Sequence, residues 1–532
     1  MKKIFICLLA ASVMTSCSKK LDVPPPNNIT DEQIQELLRN GDEETINTVL
    51  GGMANNMPRM LNFAGIAGFN SSDPRYSNVQ GLAVMRNLQG NDIVFGDQSL
   101  TTFGADEYRF LDFTSAASDK NRSYWFYAWD AITTANKMLN YLDDETVGNN
   151  EKLKEFKARG LILRAYGYHY LMENYQDAYL QGGKEKLGMP LYDIYLPVQE
   201  SKARSTSEET YAFIKQDLGT AIQLLQDVGI GYTEDLTDFD LGVANFILAR
   251  VLLWTGEWDG VITATNAILD HYPTLLSESA YGATNDGSPE SPIIRPEKNG
   301  FLNNSANPEV IFGFPLGDAL TTHNLFMNPF AEGTGGLNRG FQRIDERLYQ
   351  LIASSDVRKD VFLAEAWGDY TYPTNGDKRV IPLYTNLKFA ATHGLGSDDK
   401  KNVGRTTAYY FRSSEALLMK AEAEAQRGDA AAAKNTLNTL LASRTKAGSP
   451  TLTCDTYPGM SGLSPLEMVQ LQTRIELWGE GGREFYNNKR WNIPVDRSSS
   501  SNHVDRSTYT VEKMTLQIPL DEMLYNDKMV QN

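Results

Sequence analysis

Two stretches of this chain, 241–273 and 409–444, share one layout, in which two short helices with apolar stripes meet at a glycine. The turn falls at Gly256 in the first stretch and at Gly428 in the second. Glycine suits these positions because the residue that ends a helix often adopts a left-handed conformation. A lone helical hairpin leaves an apolar face uncovered, so it must stack on further helices. The repeated layout therefore predicts a helical scaffold.

The side-chain sizes in both hairpins resemble those of the tetratricopeptide repeat. Ala249 and Ala421 fall at its small position, and Leu252 and Trp258 fall at bulky positions around the first turn. The alternative is two unrelated helical hairpins. The predicted fold class is mainly α, a tetratricopeptide-repeat helical scaffold with irregular insertions.

Three more helices are predicted before the first hairpin, over 119–143, 151–175 and 207–225, because apolar residues recur there every three or four positions. Thr30 and Gln33 resemble a capping box that opens a helix. A further helix is predicted over 465–481, near the end of the chain.

The segment 158–171 is apolar on nearly every face, which indicates a buried helix. Arg164 within it must find a partner such as a carboxylate. We expect His169 to be a packed, hydrogen-bonded histidine and not a ligand-binding group. Gly160 and Gly167 would let a neighbouring helix approach closely.

Two long stretches, about 58–111 and 275–408, contain many Gly, Pro and Asn residues of the kind that form turns. We therefore predict that both stretches are irregular inserts. Long irregular excursions from a rigid scaffold are where binding residues tend to lie. Of the seven tryptophans, only Trp367 falls in such an insert. The alternative is that the insert aromatics merely pack the insert. The candidate binding residues are Trp367, Tyr370, Tyr372, Asn91, Asp92 and Phe95.

The N-terminus has the form of a secretory signal, with Lys2 and Lys3 before a short apolar run and Thr-Ser-Cys at 15–17. The small pair followed by Cys17 resembles the lipobox of bacterial lipoproteins, in which the cysteine is acylated after cleavage. The alternative is an ordinary signal peptide with an incidental cysteine. Pro24, Pro25 and Pro26 then favour an extended spacer. The predicted divisions are a signal peptide at 1–16, a lipidated tether at 17–30 and a single body at 31–532.

Composition argues against several classes of site. The net charge is −17, and nucleic-acid binding needs clustered Lys and Arg. Five scattered histidines show no metal-ligand spacing, so we expect neither a metal nor a cofactor. Cys454 alone remains after the N-terminal region, and no intrachain disulfide is expected.

An ordered series of motifs resembles the SusD/RagB family of outer-membrane nutrient-binding lipoproteins of Bacteroidota. The series has two weak points, because 50–111 holds no clear family motif and Trp478-Gly479 replaces commoner residues. The matching segments are LRAYGYHYL (163–171), GMPL (188–191), RSTSEETY (204–211), IKQDL (214–218), NPEVI (307–311), FRSSEALLMKAEA (411–423), ELWGEGGREFY (476–486), KRW (489–491) and IP (518–519).

The resemblance implies a non-catalytic protein that captures an oligosaccharide on its irregular inserts and passes it to a SusC-like TonB-dependent outer-membrane barrel. A peptide ligand is the alternative within the family, and a surface glycoside hydrolase or a scaffold without ligand are alternatives of other classes. Outer-membrane lipid, reached through acylated Cys17, is the other implied partner. Glu415, Glu476, Arg483 and Arg490 in these motifs are expected to form a buried ion-pair network and not a catalytic group.

Overall fold

A computed structural model describes most of the body of the protein. Sixteen α-helices and four two-stranded sheets lie within the described residues. The predicted signal peptide and nearly all of the predicted tether, including Cys17, lie outside them. The described residues are 30–61, 75–76, 78–95, 104–111, 115–196, 198, 200–314, 326–331, 341–372, 376, 378–396 and 408–532.

Seven helices form the N-terminal part, and the capping box predicted at Thr30 and Gln33 is present. The two longest helices of this part, Asp119–Leu139 and Glu151–Tyr175, pack side by side. Val79–Asn87 is helical, although the sequence predicted an irregular insert there. These helices are α1 Asp31–Asn40, α2 Glu43–Met60, α3 Val79–Asn87, α4 Ala105–Tyr108, α5 Asp119–Leu139, α6 Asp144–Val147 and α7 Glu151–Tyr175.

The scaffold continues through the two predicted hairpins. Gly256 and Gly428 adopt φ values of 79° and 88° at the turns, which confirms why glycine stands there. Residues 409–412, which the sequence assigned to the second hairpin, belong instead to a strand that begins at Ala408. The helices are α8 Ser207–Asp227, α9 Leu241–Thr255, α10 Trp258–Leu269, α11 Glu346–Leu351, α12 Ser413–Gln426 and α13 Ala430–Ser443.

The C-terminal part contains α14 Pro465–Glu476, α15 Arg483–Trp491 and α16 Leu520–Tyr525. The helix predicted over 465–481 ends at Glu476 because Gly479, Gly481 and Gly482 follow with positive φ values. α15 packs against α3. The C-terminal helices therefore contact the first insert.

All four sheets are antiparallel pairs of short strands. The β1–β3 pair joins the first insert to the second, and the β2–β6 pair joins the second insert to the scaffold. The strands are β1 Ile93–Val94, β2 Val310–Phe314, β3 Arg343–Ile344, β4 Trp367–Thr371, β5 Lys378–Ile381, β6 Ala408–Arg412, β7 Val495–Asp496 and β8 Thr508–Tyr509.

Buried apolar side chains form a large cluster through the helical scaffold and a smaller cluster within the second insert. Within the ranges described, no helix is long and apolar enough to cross a bilayer. No group of His, Cys, Asp and Glu side chains in the same ranges is arranged to hold a metal ion.

Two polar side chains of the buried helix α7 differ in their hydrogen bonding. Arg164 pairs with Asp217 of α8 through two hydrogen bonds of 2.7 and 2.8 Å, which confirms the expected partner. His169 is packed against the rings of Tyr211 and Trp254. Both of its ring nitrogens lack a hydrogen-bond partner, so the expectation that it is hydrogen-bonded was wrong.

Candidate functional site

The two inserts meet at the β1–β3 pair, where Val94 lies opposite Arg343. This pairing places the predicted residues 91–95 beside a strand of the second insert. Just before this pair, the backbone at Gly90 lies close to Glu484 of α15. A side-chain carbon at Gly90 would lie 2.1 Å from the carboxylate of Glu484. The glycine therefore allows α15 to contact the first insert directly.

Asn91 is buried and ties this junction to the C-terminal segment. Its side-chain nitrogen donates to the carbonyl of Pro494 at 3.3 Å, and its side-chain oxygen accepts from the backbone N–H of Asp496 at 2.7 Å. His503 contacts the backbone oxygen of Asn91 at 2.9 Å. The amide side chain is thus engaged by the protein itself.

Asp92 is also buried and paired. Its carboxylate accepts a hydrogen bond of 2.9 Å from Nε of Arg474 on α14, and its backbone oxygen accepts one from the indole of Trp478. These contacts join residues that are 382 and 386 positions apart in the sequence. Asp92 therefore holds the first insert against the helix that carries a family motif.

Phe95 lies in the large apolar cluster, and its ring stacks on Tyr108 with 5.4 Å between centroids. The Tyr108 hydroxyl in turn contacts Nδ1 of His503. Burial raises the pKa of Tyr108 to about 12 and lowers the pKa of His503. Tyr108 therefore stays a neutral phenol, and burial favours a neutral His503.

Trp367, Tyr370 and Tyr372 are brought together on strand β4 and the residue after it, in the smaller apolar cluster. The Trp367 ring lies 6.3 Å from that of Phe330, and Tyr370 meets Tyr372 edge-on at 4.9 Å. The three side chains are only 9%, 6% and 4% exposed. Tyr370 also lies against Phe330, with 5.0 Å between centroids, so the Phe330 ring connects Trp367 to the two tyrosines. The role of the three side chains in ligand binding stays a prediction.

Arg343 is a residue of this junction that the sequence did not single out. Its Nε is buried without a hydrogen-bond partner, and burial lowers the pKa of its guanidinium. The side chain remains partly exposed. No periodicity or motif marks an arginine of this kind, because its environment arises only from the β1–β3 pairing.

Comparisons with known proteins agree with the motif series. The SusD family model matches residues 284–532, and a related model described as starch-binding, associating with the outer membrane, matches residues 76–253. The chain belongs to the SusD/RagB family. A comparison with curated protein sequences gives no match.

Solved structures of SusD-type proteins have the same fold as this SusD/RagB protein. A SusD-like carbohydrate-binding protein from Bacteroides vulgatus is 20% identical, with a TM-score of 0.67 over 92% of this chain and 97% of that chain. A SusD superfamily protein from Bacteroides thetaiotaomicron is 18% identical, with a TM-score of 0.67 over 91% and 98%. Surface glycan-binding protein A from the same species is 16% identical, with a TM-score of 0.61 over 92% and 98%.

The family motifs of this SusD/RagB protein hold buried ion pairs, as the sequence predicted. Arg250 binds Glu415 through two hydrogen bonds of 2.8 Å, and Arg490 pairs with Glu422. Arg483 lies 3.6 Å from Glu173. These charged side chains thus join helices to one another.

The acidic side chains at the junction of the inserts also accept hydrogen bonds from the protein. Burial would raise the pKa of Asp345, but hydrogen bonds from His503 and Arg347 hold that pKa well below its usual range. Both oxygens of Glu484 accept backbone N–H groups, those of Asn91 and Asp92. Burial and the nearby charge of Asp92 raise the pKa of Glu484 to about 8. Both acids are held by hydrogen bonds from the protein itself, so they fix the inserts in place.

Proposed function

We propose that this SusD/RagB protein captures an oligosaccharide at the cell surface and delivers it to a SusC-like TonB-dependent barrel, without catalysing a reaction. The observation that carries the proposal is the match of residues 76–253 to a model described as starch-binding and associating with the outer membrane. The name of surface glycan-binding protein A, whose fold is similar, indicates the same class of ligand.

The second insert offers the groups that sugars need. Flat aromatic faces bind the C–H surfaces of sugars, and a few polar groups bind the hydroxyls. Trp367 anchors an aromatic cluster on β4, and Tyr370 and Tyr372 pack beside it. We propose that a ligand contacts the edge of this cluster. Asn91, Asp92 and Phe95 form the second proposed contact group, at the β1–β3 junction.

The binding test is isothermal titration of the purified protein against a panel of starch-derived and other oligosaccharides. Trp367→Phe keeps an aromatic ring in the cluster and reduces the stacking area, so we expect weaker binding with an unchanged thermal melting curve. Trp258→Phe is the matched control, because Trp258 lies in the scaffold hairpin. Equal affinity for wild type and Trp367→Phe would exclude Trp367 as a sugar contact.

Peptide titration, product analysis and a barrel-binding assay on the same purified protein separate the other functions. Binding of peptides but of no oligosaccharide would favour the peptide-binding alternative. Release of shorter sugars by the purified protein would show a glycoside hydrolase. Retention of barrel binding by a protein that binds no ligand of either class would show a structural scaffold.

Anchoring is the remaining part of the proposal. We propose that the segment 1–16 is removed and that acylated Cys17 holds the body on the outer membrane, facing outward. Cys17→Ala should move the protein from the membrane fraction to the soluble fraction. Protease treatment of intact cells should degrade the wild-type protein if it faces outward, whereas full protection would show a periplasmic orientation.

A further inference from the structure

Two groups of exposed apolar side chains lie on neighbouring segments of the scaffold. One group lies in the loop after α7, where Ile194, Leu196 and Val198 are 47%, 40% and 86% exposed. The other group belongs to the C-terminal region, where Leu524, Tyr525 and Val530 are 68%, 86% and 50% exposed. We call these six residues the apolar band. Large apolar side chains exposed together mark an interaction surface.

Hydrogen bonds connect the two parts of the band. The side chain of Asn526, directly after α16, donates to the backbone oxygen of Lys202 at 3.0 Å. The N–H of Lys202 donates to the hydroxyl of Tyr192 at 3.1 Å, and its Nζ donates to the oxygen of Leu191 at 2.8 Å. The C-terminal helix and the start of the loop are therefore neighbours.

The chain enters the body at the loop end of the band. The side-chain amide of Asn140, directly after α5, donates to the backbone oxygen of Tyr195 at 2.6 Å and accepts from its backbone N–H at 2.9 Å. The next residue, Tyr141, donates to Asp31 at the start of α1 at 3.0 Å. Gln35 of α1 also donates to the backbone oxygen of Asn140. Thr30, where the predicted tether ends, therefore lies close to Ile194 and Leu196.

The length of the tether limits how far this side can stand from the lipid. Thirteen residues separate Cys17 from Thr30, and a fully extended chain spans about 3.5 Å per residue, or about 45 Å in all. A short tether also gives the body a millimolar effective concentration at the surface to which it is attached. Even with a weak affinity for lipid, the band would then be bound to the bilayer for much of the time.

We propose that the apolar band rests on the surface of the lipid bilayer in which Cys17 is anchored. The proposal rests on the proposed lipid anchor. The composition of the band suits a bilayer interface, because aliphatic side chains enter the acyl boundary while tyrosine remains at headgroup depth. Charges beside the band are mixed, with Lys137 over the ring of Tyr195 and Lys202 beside Asp193. The contact is therefore apolar and only weakly dependent on salt.

The test uses the full acylated protein in vesicles of phosphatidylcholine alone, with no barrel present. Val198→Cys and Tyr525→Cys are each labelled with an environment-sensitive nitrobenzoxadiazole dye, in a background in which the buried Cys454 is replaced by Ala. Val380→Cys is the matched control, because Val380 is an exposed valine, 57% accessible, on β5 of the second insert. We expect blue-shifted emission and quenching by brominated lipid at the two band positions and not at Val380.

Water-like emission from both band labels, while the protein floats with the vesicles, would overturn the proposal. A blue shift that develops only when the purified barrel is added would also overturn it and would assign the band to a protein partner.

Flotation of the protein with the vesicles tests the lipid anchor separately from the band. If Cys17→Ala floats as well as the acylated protein, the proposed anchor at Cys17 is wrong, and the labels of that variant still decide the band. Tyr525→Ser with Val198→Ser should then abolish flotation if the band binds lipid.

Discussion

At the scale of single residues, burial decides how a polar side chain behaves. Arg164 of α7 is paired with Asp217 of α8 through two hydrogen bonds. His169 has only the weak attraction of Glu173, at 3.5 Å, and no hydrogen bond. Burial, aided by the neighbouring arginines, therefore lowers the pKa of His169 to about 4.

This pKa shift predicts a pH-dependent stability. Between pH 6.5 and pH 4 the unfolded chain takes up a proton on residue 169 that the folded protein does not bind, so the free energy of unfolding falls as the pH falls. The change amounts to about 3 kcal/mol for a shift of this size. In His169→Phe, urea unfolding measured at several pH values should lack that share of the dependence.

Tyr211→Phe provides the control for this measurement. Its buried hydroxyl has no hydrogen-bond partner and lies in the same pocket, next to His169. Burial raises the pKa of Tyr211 well above its ordinary value, so the group does not titrate in acid. The variant should shift stability by the same amount at every pH. A wild-type pH dependence in His169→Phe would show that His169 is not the group responsible.

At the scale of the elements, the closeness of α5 and α7 depends on glycine. A side-chain carbon at Gly167 would lie 2.8 Å from Cγ1 of Ile132 and 3.0 Å from the backbone oxygen of Ala128. Neither contact can relax cheaply, because one involves a packed side chain and the other involves backbone. The small residue that the sequence marked as a packing position is therefore required by the neighbouring helix.

Gly167→Ala should accordingly destabilise the protein, although alanine is the better helix former. The gain in helix propensity is about 1 kcal/mol, and overpacking of a core costs about 1–3 kcal/mol. We expect a net loss of up to about 2 kcal/mol in the free energy of unfolding. Chemical denaturation of the purified variant measures it.

Gly219 of α8 differs from Gly167 because no neighbouring group lies close to it. It is exposed in mid-helix, and nothing lies within 4 Å of the position of an added side-chain carbon. Gly219→Ala should therefore stabilise the protein by about 0.5–1 kcal/mol. If both alanine variants gained stability, the close approach of α5 and α7 would not be tight enough to matter.

At the scale of the whole molecule, one buried ion-pair network joins the second insert to the scaffold. Glu476 of α14 binds Arg412 of β6 at 2.7 Å and Arg444, after α13, at 2.9 Å. Glu309, just before β2, binds the same two arginines at 2.7 and 2.6 Å. The side chains are at most 2% exposed, so this network fixes the second insert onto the helical hairpins.

Glu476→Gln should therefore destabilise the whole body. Removing one charge from a buried network leaves its partners unpaired, which costs about 3–5 kcal/mol. Asp455→Asn is the control, because it breaks an exposed pair with Lys434, and such pairs contribute about 0–1 kcal/mol. A loss of stability in Glu476→Gln no larger than that of the control would show that the network is dispensable.

The sequence predicted the helical elements well and the insert environments poorly. The helix over 151–175 and both hairpin turns are confirmed, because periodic apolar residues and turn glycines act within a few positions of one another. The strand at 408–412 was missed, because its partner β2 lies about one hundred positions earlier. Trp367 was predicted from its place in an insert, but its burial against Phe330 depends on tertiary contacts.

By itself, the sequence determined the family, the fold class and the helical scaffold, since these follow from local periodicity and from motifs in a fixed order. Only the tertiary structure decided the partners of Asp92, the burial of Arg343 by strand pairing, the close approach at Gly167 and the contact between the C-terminal helix and the loop after α7. These features depend on residues that are tens to hundreds of positions apart, such as Asp92 and Arg474, which are separated by 382 residues. A pattern of near neighbours holds no information about which distant side chain will fill a buried space.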